Sequence, residues 1–101
     1  MLNIIENKIF TGNMETIVIT ENTVIKHCQF INCTPGLDCD IIKIIGKDVT
    51  VDIQYCVFDQ SMVNPEVYDE AISALEGPTI NLYKTTFINQ HRKTSPFRER
   101  M

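Results

Sequence analysis

The residue types that could do chemistry are densest in one short stretch of the chain, which contains His27, Cys28, Cys33 and Cys39. Histidine and cysteine are the usual zinc ligands, but a zinc site normally combines two closely spaced pairs of such residues, and no second pair follows here. A cysteine nucleophile needs a base within hydrogen-bonding reach, and the strand pattern described below turns Cys28 inward and His27 outward. We therefore expect no catalytic residue, no metal site and no cofactor.

Carboxylates are concentrated in two segments that interrupt the pattern of the rest of the chain. One spans residues 33–40 and carries Asp38 and Asp40, and the other spans residues 61–70 and carries Glu66, Asp69 and Glu70. Insertions of this kind in a repeat protein map to one face, which is often the binding face. Two interpretations stay open: these carboxylates contact a partner, or they are solvated residues at turns.

A ten-residue segment, residues 23–32, recurs along the chain and sets its organisation. Its copies are residues 51–60 and 80–89, with a weaker copy at 3–12. Aligning the copies places a phenylalanine in the same slot of each one: Phe10, Phe30, Phe58 and Phe87. Successive phenylalanines are 20, 28 and 29 residues apart, and periods of about 20–50 residues indicate a repeat architecture. Short runs rich in β-branched residues lie between the copies, so strands are favoured over helices.

Within each copy the alternation of apolar residues slips once. Ile25, Cys28 and Phe30 cannot all lie on one face of a regular strand, because side chains alternate with a period of two. A bend at residues 26–27 would reset the face, and equivalent bends are expected in the other copies. Their positions are residues 6–7, 54–55 and 83–84. Each repeat is then three short strands that stack on the next repeat as parallel sheets, with Cys28 and Cys56 as buried neighbours.

The pattern formed by Val24, Ile25, Cys28, Phe30 and Asn32 resembles the rung of a right-handed parallel β-helix of the pectate-lyase-like type. The resemblance implies an all-β fold, a short solenoid of about four coils with longer loops after coils 2 and 3. We expect this β-helix domain to span residues 1–90. Residues 91–101 would form a basic C-terminal tail that is either capping or flexible.

Polysaccharide-active enzymes with this fold use carboxylates and a basic residue on one outward strip, sometimes with bound calcium. In this chain Asp59 is the lone carboxylate beside the phenylalanine column, and every arginine lies at position 92 or beyond. The enzymatic residues of the family therefore have no positions here to which they can be carried over. We expect that the chain is not an enzyme.

Charge is distributed unevenly along the chain. The net charge is −4, with 5 lysines against 12 carboxylates in residues 1–90 and 4 cations against Glu99 in residues 91–101. An acidic body argues against direct nucleic-acid binding, and no apolar run approaches the roughly 20 residues of a membrane span. Four cysteines without a secretion signal predict a cytoplasmic protein with reduced thiols. Cys33 and Cys39 could close a small disulfide if the protein were exported.

Outward-facing positions are what remains for function. Apolar residues on the phenylalanine-bearing strands are predicted to form an outward strip: Ile9, Ile31, Val57 and Ile88. The bends add a column of aromatic and polar residues, His27, Tyr55 and Lys84, which is flanked by Lys26, Gln54 and Tyr83. An apolar strip marks an interaction face, unless the tail or the 61–70 loop folds over it. The column suits either a protein partner or a sugar.

These features favour a non-enzymatic protein-binding module. We interpret it as a small inhibitor, encoded by a phage or mobile element, that acts on a host protein or on a nucleic-acid-targeting complex. The alternative is a carbohydrate-binding or carbohydrate-processing remnant of a pectate-lyase-like domain, and a third hypothesis is an assembly unit that stacks end to end. Because the open ends of a short solenoid expose apolar side chains and backbone, we also expect a homodimer or a partner at one end.

Overall fold

Short segments rich in β-branched residues form strands in the computed structural model, which describes residues 2–35, 40–61, 71–88 and, for the backbone, 97–100. Valine, isoleucine and threonine favour strands because their branched side chains pack well on a pleated surface. These ranges contain twelve strands and no helix. The strands are β1 (Asn3–Glu6), β2 (Ile9–Gly12), β3 (Ile17–Ile19), β4 (Thr23–Lys26), β5 (Gln29–Cys33), β6 (Ile42–Ile45), β7 (Thr50–Gln54), β8 (Val57–Asp59), β9 (Ile72–Leu75), β10 (Thr79–Tyr83), β11 (Thr86–Ile88) and β12 (Phe97–Arg100).

The strands form three sheets, and each strand pairs with the strand three positions later in the chain. Sheet A has the order β1-β4-β7-β10, sheet B the order β2-β5-β8-β11, and sheet C the order β3-β6-β9-β12. Every pairing is parallel. Each sequence repeat thus adds one strand to each sheet in turn, and we number the repeats 1 to 4, from β1–β3 to β10–β12. The predicted all-β class is confirmed, and the topology is compatible with a parallel β-helix-like fold.

The register places the phenylalanine of each repeat on that of the next. The ring centroids are 4.9 Å apart for Phe10 and Phe30, 4.5 Å for Phe30 and Phe58, and 4.9 Å for Phe58 and Phe87, and each pair of rings is nearly parallel. In-register strands repeat every ~4.8 Å, so flat side chains at equivalent positions come into stacking contact. A second inward column lies beside this one: Ile5, Ile25, Ile53 and Leu82. These two columns form much of the apolar core.

The predicted bends are present, and at each of them one residue has a left-handed backbone. These residues are Asn7, His27, Tyr55 and Lys84, with φ of 57°, 53°, 53° and 47°. A left-handed conformation costs a residue with a Cβ roughly 1–2 kcal/mol, so its surroundings must hold it. Backbone hydrogen bonds between repeats continue through the bend: the His27 amide donates to the Gln54 carbonyl and the Tyr55 amide to the Tyr83 carbonyl, both at 3.0 Å.

Side-chain donors directly after the bends of repeats 2, 3 and 4 bind backbone carbonyl groups. Each donor reaches the carbonyl oxygen two residues earlier and that of the inward isoleucine in the preceding repeat. The two distances are 3.4 and 3.7 Å for Cys28, 3.2 and 3.6 Å for Cys56, and 3.2 and 3.1 Å for Thr85. The two cysteines are fully buried, as predicted. The thiol groups of Cys28 and Cys56 and the hydroxyl group of Thr85 therefore have the same structural role, which is to donate to backbone carbonyl oxygens.

The C-terminal strand β12 pairs in parallel with β9 and adds the fourth strand of sheet C. Four residues of the predicted tail are thus part of a sheet, whereas residues 91–96 lie outside the described residues. The division of the chain into a domain at 1–90 and a tail at 91–101 stays a prediction.

Candidate functional site

The histidine and the cysteines that are close in sequence are separated by the fold. Cys28 and Cys33 are fully buried and His27 is exposed at its bend, while Cys39 lies outside the described residues. Burial raises the pKa of the Cys33 thiol to about 11 and raises that of Cys56 as well, so both thiols stay protonated near neutral pH. Within residues 2–35, 40–61 and 71–88, no group of three His, Cys, Asp or Glu side chains is placed to hold a metal ion.

The carboxylate of Asp59 is used by its own turn. Its Oδ1 accepts hydrogen bonds from the Ser61 amide, at 2.9 Å, and from the Ser61 hydroxyl. These bonds stabilise the charged form, so the pKa of Asp59 is lowered, mainly by the hydroxyl. These hydrogen bonds form the turn that follows β8, so the carboxylate has a local structural role.

Exposed rings stack on one another in a ridge along the bends between sheets A and B, formed by His27, Tyr55, Tyr83 and Lys84. We call these four residues the bend ridge. The rings of His27 and Tyr55 stack with centroids 5.0 Å apart and planes 3° from parallel, and the Tyr83 ring meets Tyr55 edge to face at 5.5 Å. The Lys84 Nζ lies 5.9 Å from the centre of the Tyr83 ring. Tyr55 remains 45% exposed and Tyr83 52% exposed.

The ridge is held in place by the backbone beneath it. Stacking of successive repeats sets the spacing of its rings, and the left-handed bends aim Tyr55 and His27 away from the core. A side-chain hydrogen bond with Tyr83 raises the pKa of Tyr55. The ridge therefore presents ring edges and polar tips whose spacing is set by the repeat.

The outer face of sheet B adjoins the ridge, since Val57 follows Tyr55 by two residues. Ile9 is 66% exposed and Ile88 37% exposed, while Ile31 and Val57 are half-buried. The register pairs Ile9 and Val57 with Gln29, and pairs Ile31 with Thr11 and Asp59. The predicted apolar strip is thus a zigzag, in which a polar residue separates apolar ones along each column of equivalent positions. This follows from the alternation of apolar residues between the two outward slots of successive repeats.

The acidic residues predicted for a partner contact fall mostly outside the described residues: Asp38, Glu66, Asp69 and Glu70. Asp40 is described and is only 3% exposed. The chain turns inward at this point, because Ile41 and Ile42 are fully buried and the Thr16 hydroxyl donates to the Asp40 carbonyl oxygen at 2.7 Å. Asp40 therefore belongs to the packed corner before β6 rather than to an exposed acidic surface.

Exposed apolar side chains at the two ends of the sheets were not singled out from the sequence. Ile4 and Val18 in repeat 1 and Leu82 in repeat 4 are 54%, 56% and 43% exposed. The sequence does indicate that Ile4 and Val18 are exposed, because the equivalent positions hold Asp52 in repeat 3 and Lys43 in repeat 2. Leu82 stands in an inward slot of the last repeat, where the column ends.

No helix among the described residues has the length and apolarity needed to cross a membrane. Comparisons of the chain with models of protein families, with curated proteins and with solved structures find no match.

Proposed function

We propose that the chain is a short right-handed parallel β-helix that acts as a protein-binding module. The winding is supported by the pairing of each strand with the strand three positions on, in three parallel sheets. Right-handedness is supported by the strong general preference of parallel crossover connections for that hand. Such a stack of hydrogen-bonded repeats would hold exposed side chains at fixed distances from one another.

The observation that carries the proposal is the bend ridge. Two tyrosines are about half exposed there although each contacts another ring of the ridge. Tyrosine is enriched at protein interfaces because it offers a large apolar body, a polar tip and few rotatable bonds. We propose that the ridge and the adjoining apolar residues of sheet B, among them Ile9 and Val57, contact a protein partner.

The partner class that fits best is a host protein or a nucleic-acid-targeting complex that presents a basic surface. The net charge of −4 favours association with such a surface and disfavours direct contact with nucleic acid. We propose that the chain acts there as an inhibitor of the kind encoded by phages and mobile elements.

The second candidate is carbohydrate binding through Tyr55 and Tyr83. Sugars bind tyrosine mainly by packing against an open ring face. His27 already covers one face of Tyr55, and Lys84 lies over the ring of Tyr83. The ridge thus offers mainly edges and hydroxyl groups, which favours the protein partner.

Site-specific photo-crosslinking tests the proposal. A photoreactive phenylalanine analogue placed at Tyr83 should yield one stoichiometric crosslinked protein in lysate of the native host, and the same analogue at the exposed turn residue Lys47 should not. The double variant Tyr55→Ala/Tyr83→Ala should lose capture of that protein, whereas Thr79→Ala, an exposed change on the same strand as Tyr83, should retain it. Equal capture by the two variants, or glycan binding by the purified chain without a protein partner, would refute the proposal.

A further inference from the structure

Exposed apolar surface is concentrated at the two ends of the three sheets. Among the described residues, eight large apolar side chains are exposed; six of them belong to repeat 1 or repeat 4, and Leu2 directly precedes repeat 1. Repeat 1 places one on the outer face of each sheet: Ile4 on sheet A, Ile9 on sheet B and Val18 on sheet C. Of the described residues in repeats 2 and 3, Tyr55 is the one large apolar side chain that is exposed. An apolar surface of this extent on a soluble domain usually marks a contact site.

Among the residues that the structure describes, the inward columns are also less buried at their ends than in the middle. Ile25 and Ile53 are fully buried, whereas Leu82 in the same column is 43% exposed and Ile5 is only partly buried. The same is true of the phenylalanine ladder, in which the two outer rings are partly buried. Among the described strands, β1, β2 and β3 form one edge of the three sheets and β10, β11 and β12 form the other. Such edges pair readily with further strands.

We propose that copies of this chain associate head to tail, with repeat 1 of one copy stacked on repeat 4 of the next in continued parallel register. This contact does not depend on the partner proposed above, although Ile9, Tyr83 and Lys84 lie at the margin of both surfaces. Both ends belong to the same parallel sheets, so repeat 4 presents to the next repeat 1 the same set of slots that each interior repeat presents to its neighbour.

Residue complementarity across the joint favours a second copy over another occupant. Continuing the register sets Leu82 on Ile5 and Phe87 on Phe10 of the next copy, which completes both inward columns. On sheet B, Ile88 of one copy would lie diagonally beside Ile9 of the next, so the zigzag continues without interruption. Lys84 would lie next to Glu6, whose carboxylate is 3.8 Å from Lys26 Nζ within its own chain.

Disulfide trapping between two singly substituted chains tests this arrangement. Ile9→Cys and Thr86→Cys alter exposed residues of the same outward column, at opposite ends of sheet B. Within one chain these positions are three strands apart, about 14 Å, which is too far for a disulfide. Across a head-to-tail joint they would be neighbours. Under mild oxidation, an equimolar mixture should give a crosslinked dimer that neither variant gives alone.

The matched control replaces Ile9→Cys with Gln29→Cys, which is exposed in the same column but lies in repeat 2. A mixture of Gln29→Cys with Thr86→Cys should give at least tenfold less dimer. Equal yield from the two mixtures, dimer from Ile9→Cys alone, which would indicate head-to-head contact, or no dimer at any concentration would each overturn the proposal.

Sedimentation velocity of the unmodified chain gives an independent readout. Its weight-average mass should rise with concentration, and Leu82→Glu should reduce the association constant at least tenfold, because the substitution places a charge in the joint at a position already exposed in the single copy. A concentration-independent monomer mass for the unmodified chain would contradict head-to-tail association.

Discussion

At the scale of single residues, position along the stack decides how much an identical side chain contributes. Phe30 and Phe58 each have rings stacked on both faces, while Phe10 and Phe87 have one stacked ring each. The inner pair is fully buried and the outer pair partly buried. The four phenylalanines are therefore equivalent in the sequence repeat, but in the fold the two inner rings contribute more to stability than the two outer rings.

We expect Phe30→Ala to lower the free energy of unfolding by about 3–5 kcal/mol, because it removes a buried aromatic ring and leaves a cavity. Phe10→Ala should cost less, about 1–2 kcal/mol, because the ring is partly solvated in the native state. Urea denaturation followed by circular dichroism measures both. A loss below about 1 kcal/mol for Phe30→Ala would contradict a stacked core.

The donors that follow the bends offer a second test at this scale. Cys56→Thr keeps a hydrogen-bond donor at this position, as Thr85 does one repeat later. Cys56→Val introduces a side chain with the shape of threonine but without a donor. We expect the valine variant to be less stable than the threonine variant by about 1 kcal/mol, because the carbonyl oxygens of Ile25 and Gln54 lose the one hydrogen that this side chain shares between them. Thermal unfolding of the two proteins side by side is the measurement, and equal stability would mean that those hydrogen bonds contribute nothing.

Titration of Cys33 makes a prediction about pH. Burial raises the pKa of this thiol from 9.0 to about 11, so the unfolded chain loses the proton at lower pH than the folded chain. Stability is thus retained below pH 9 and falls as the pH rises from about 9 to about 11. The Cys33→Val variant should lose less stability over this interval than the parent. Identical pH profiles would show that the thiol is not buried.

At the scale of elements, the turns decide where one strand ends and the next begins. Gly46 follows β6 with φ of 122°, and a Cβ added there would lie 2.9 Å from Cγ2 of Val49. The Val49 amide donates to the Gly46 carbonyl at 3.1 Å, which closes the turn between sheets C and A. Gly12, by contrast, has φ of 64° and no atom within 4 Å of an added Cβ.

Gly46→Ala should therefore lower the free energy of unfolding by about 2 kcal/mol or more, since it combines an unfavourable backbone conformation with a steric contact. Gly12→Ala serves as the control and should cost only about 1 kcal/mol, from the backbone alone. Chemical denaturation compares them. If the two substitutions have equal effects, the contact with Val49 is not the cause.

At the scale of the whole molecule, the two proposed surfaces lie on different sides of the stack of repeats. The bend ridge lies on a lateral side and extends from His27 in repeat 2 to Lys84 in repeat 4, whereas the apolar ends are the first and last repeats of the stack. Head-to-tail stacking would place Tyr83 and Lys84 beside the next copy, leave the outward side of the ridge exposed, and repeat the ridge at each copy. A partner with several binding sites would then gain avidity without any new contact.

Lys8 is the residue of repeat 1 that opposes such stacking. It stands in the column occupied by Cys28, Cys56 and Thr85 in later repeats, and it is exposed. A charge in an inward slot of an edge strand discourages pairing, because its desolvation is costly. We expect Lys8→Thr to strengthen self-association about tenfold, or about 1.4 kcal/mol, in sedimentation experiments. No change, or a weaker association, would mean that Lys8 lies outside the contact.

The all-β class, the phenylalanine ladder and the bends could be predicted from the amino-acid sequence, because they depend on local rules. Side chains alternate along a strand, and equivalent residues in successive repeats fall in line when parallel strands pair in register. The bend before Cys28 is required by the one slip in this alternation, and it appears as the left-handed His27.

Which of the outward residues form a surface could not be predicted from the sequence, because it depends on contacts between repeats. The edge-to-face contact of Tyr83 with Tyr55, the burial of Asp40 and the separation of Ile31 from Ile9 by polar neighbours depend on register and on packing between repeats. The side-chain amide of Gln60 likewise pairs with the backbone N–H and C=O of Cys33, both at 2.8 Å, beside a register shift that no pattern of apolar residues encodes. Apolar patterning specifies which side of a strand faces inward, whereas contacts between residues distant in sequence are set by how the strands are brought together.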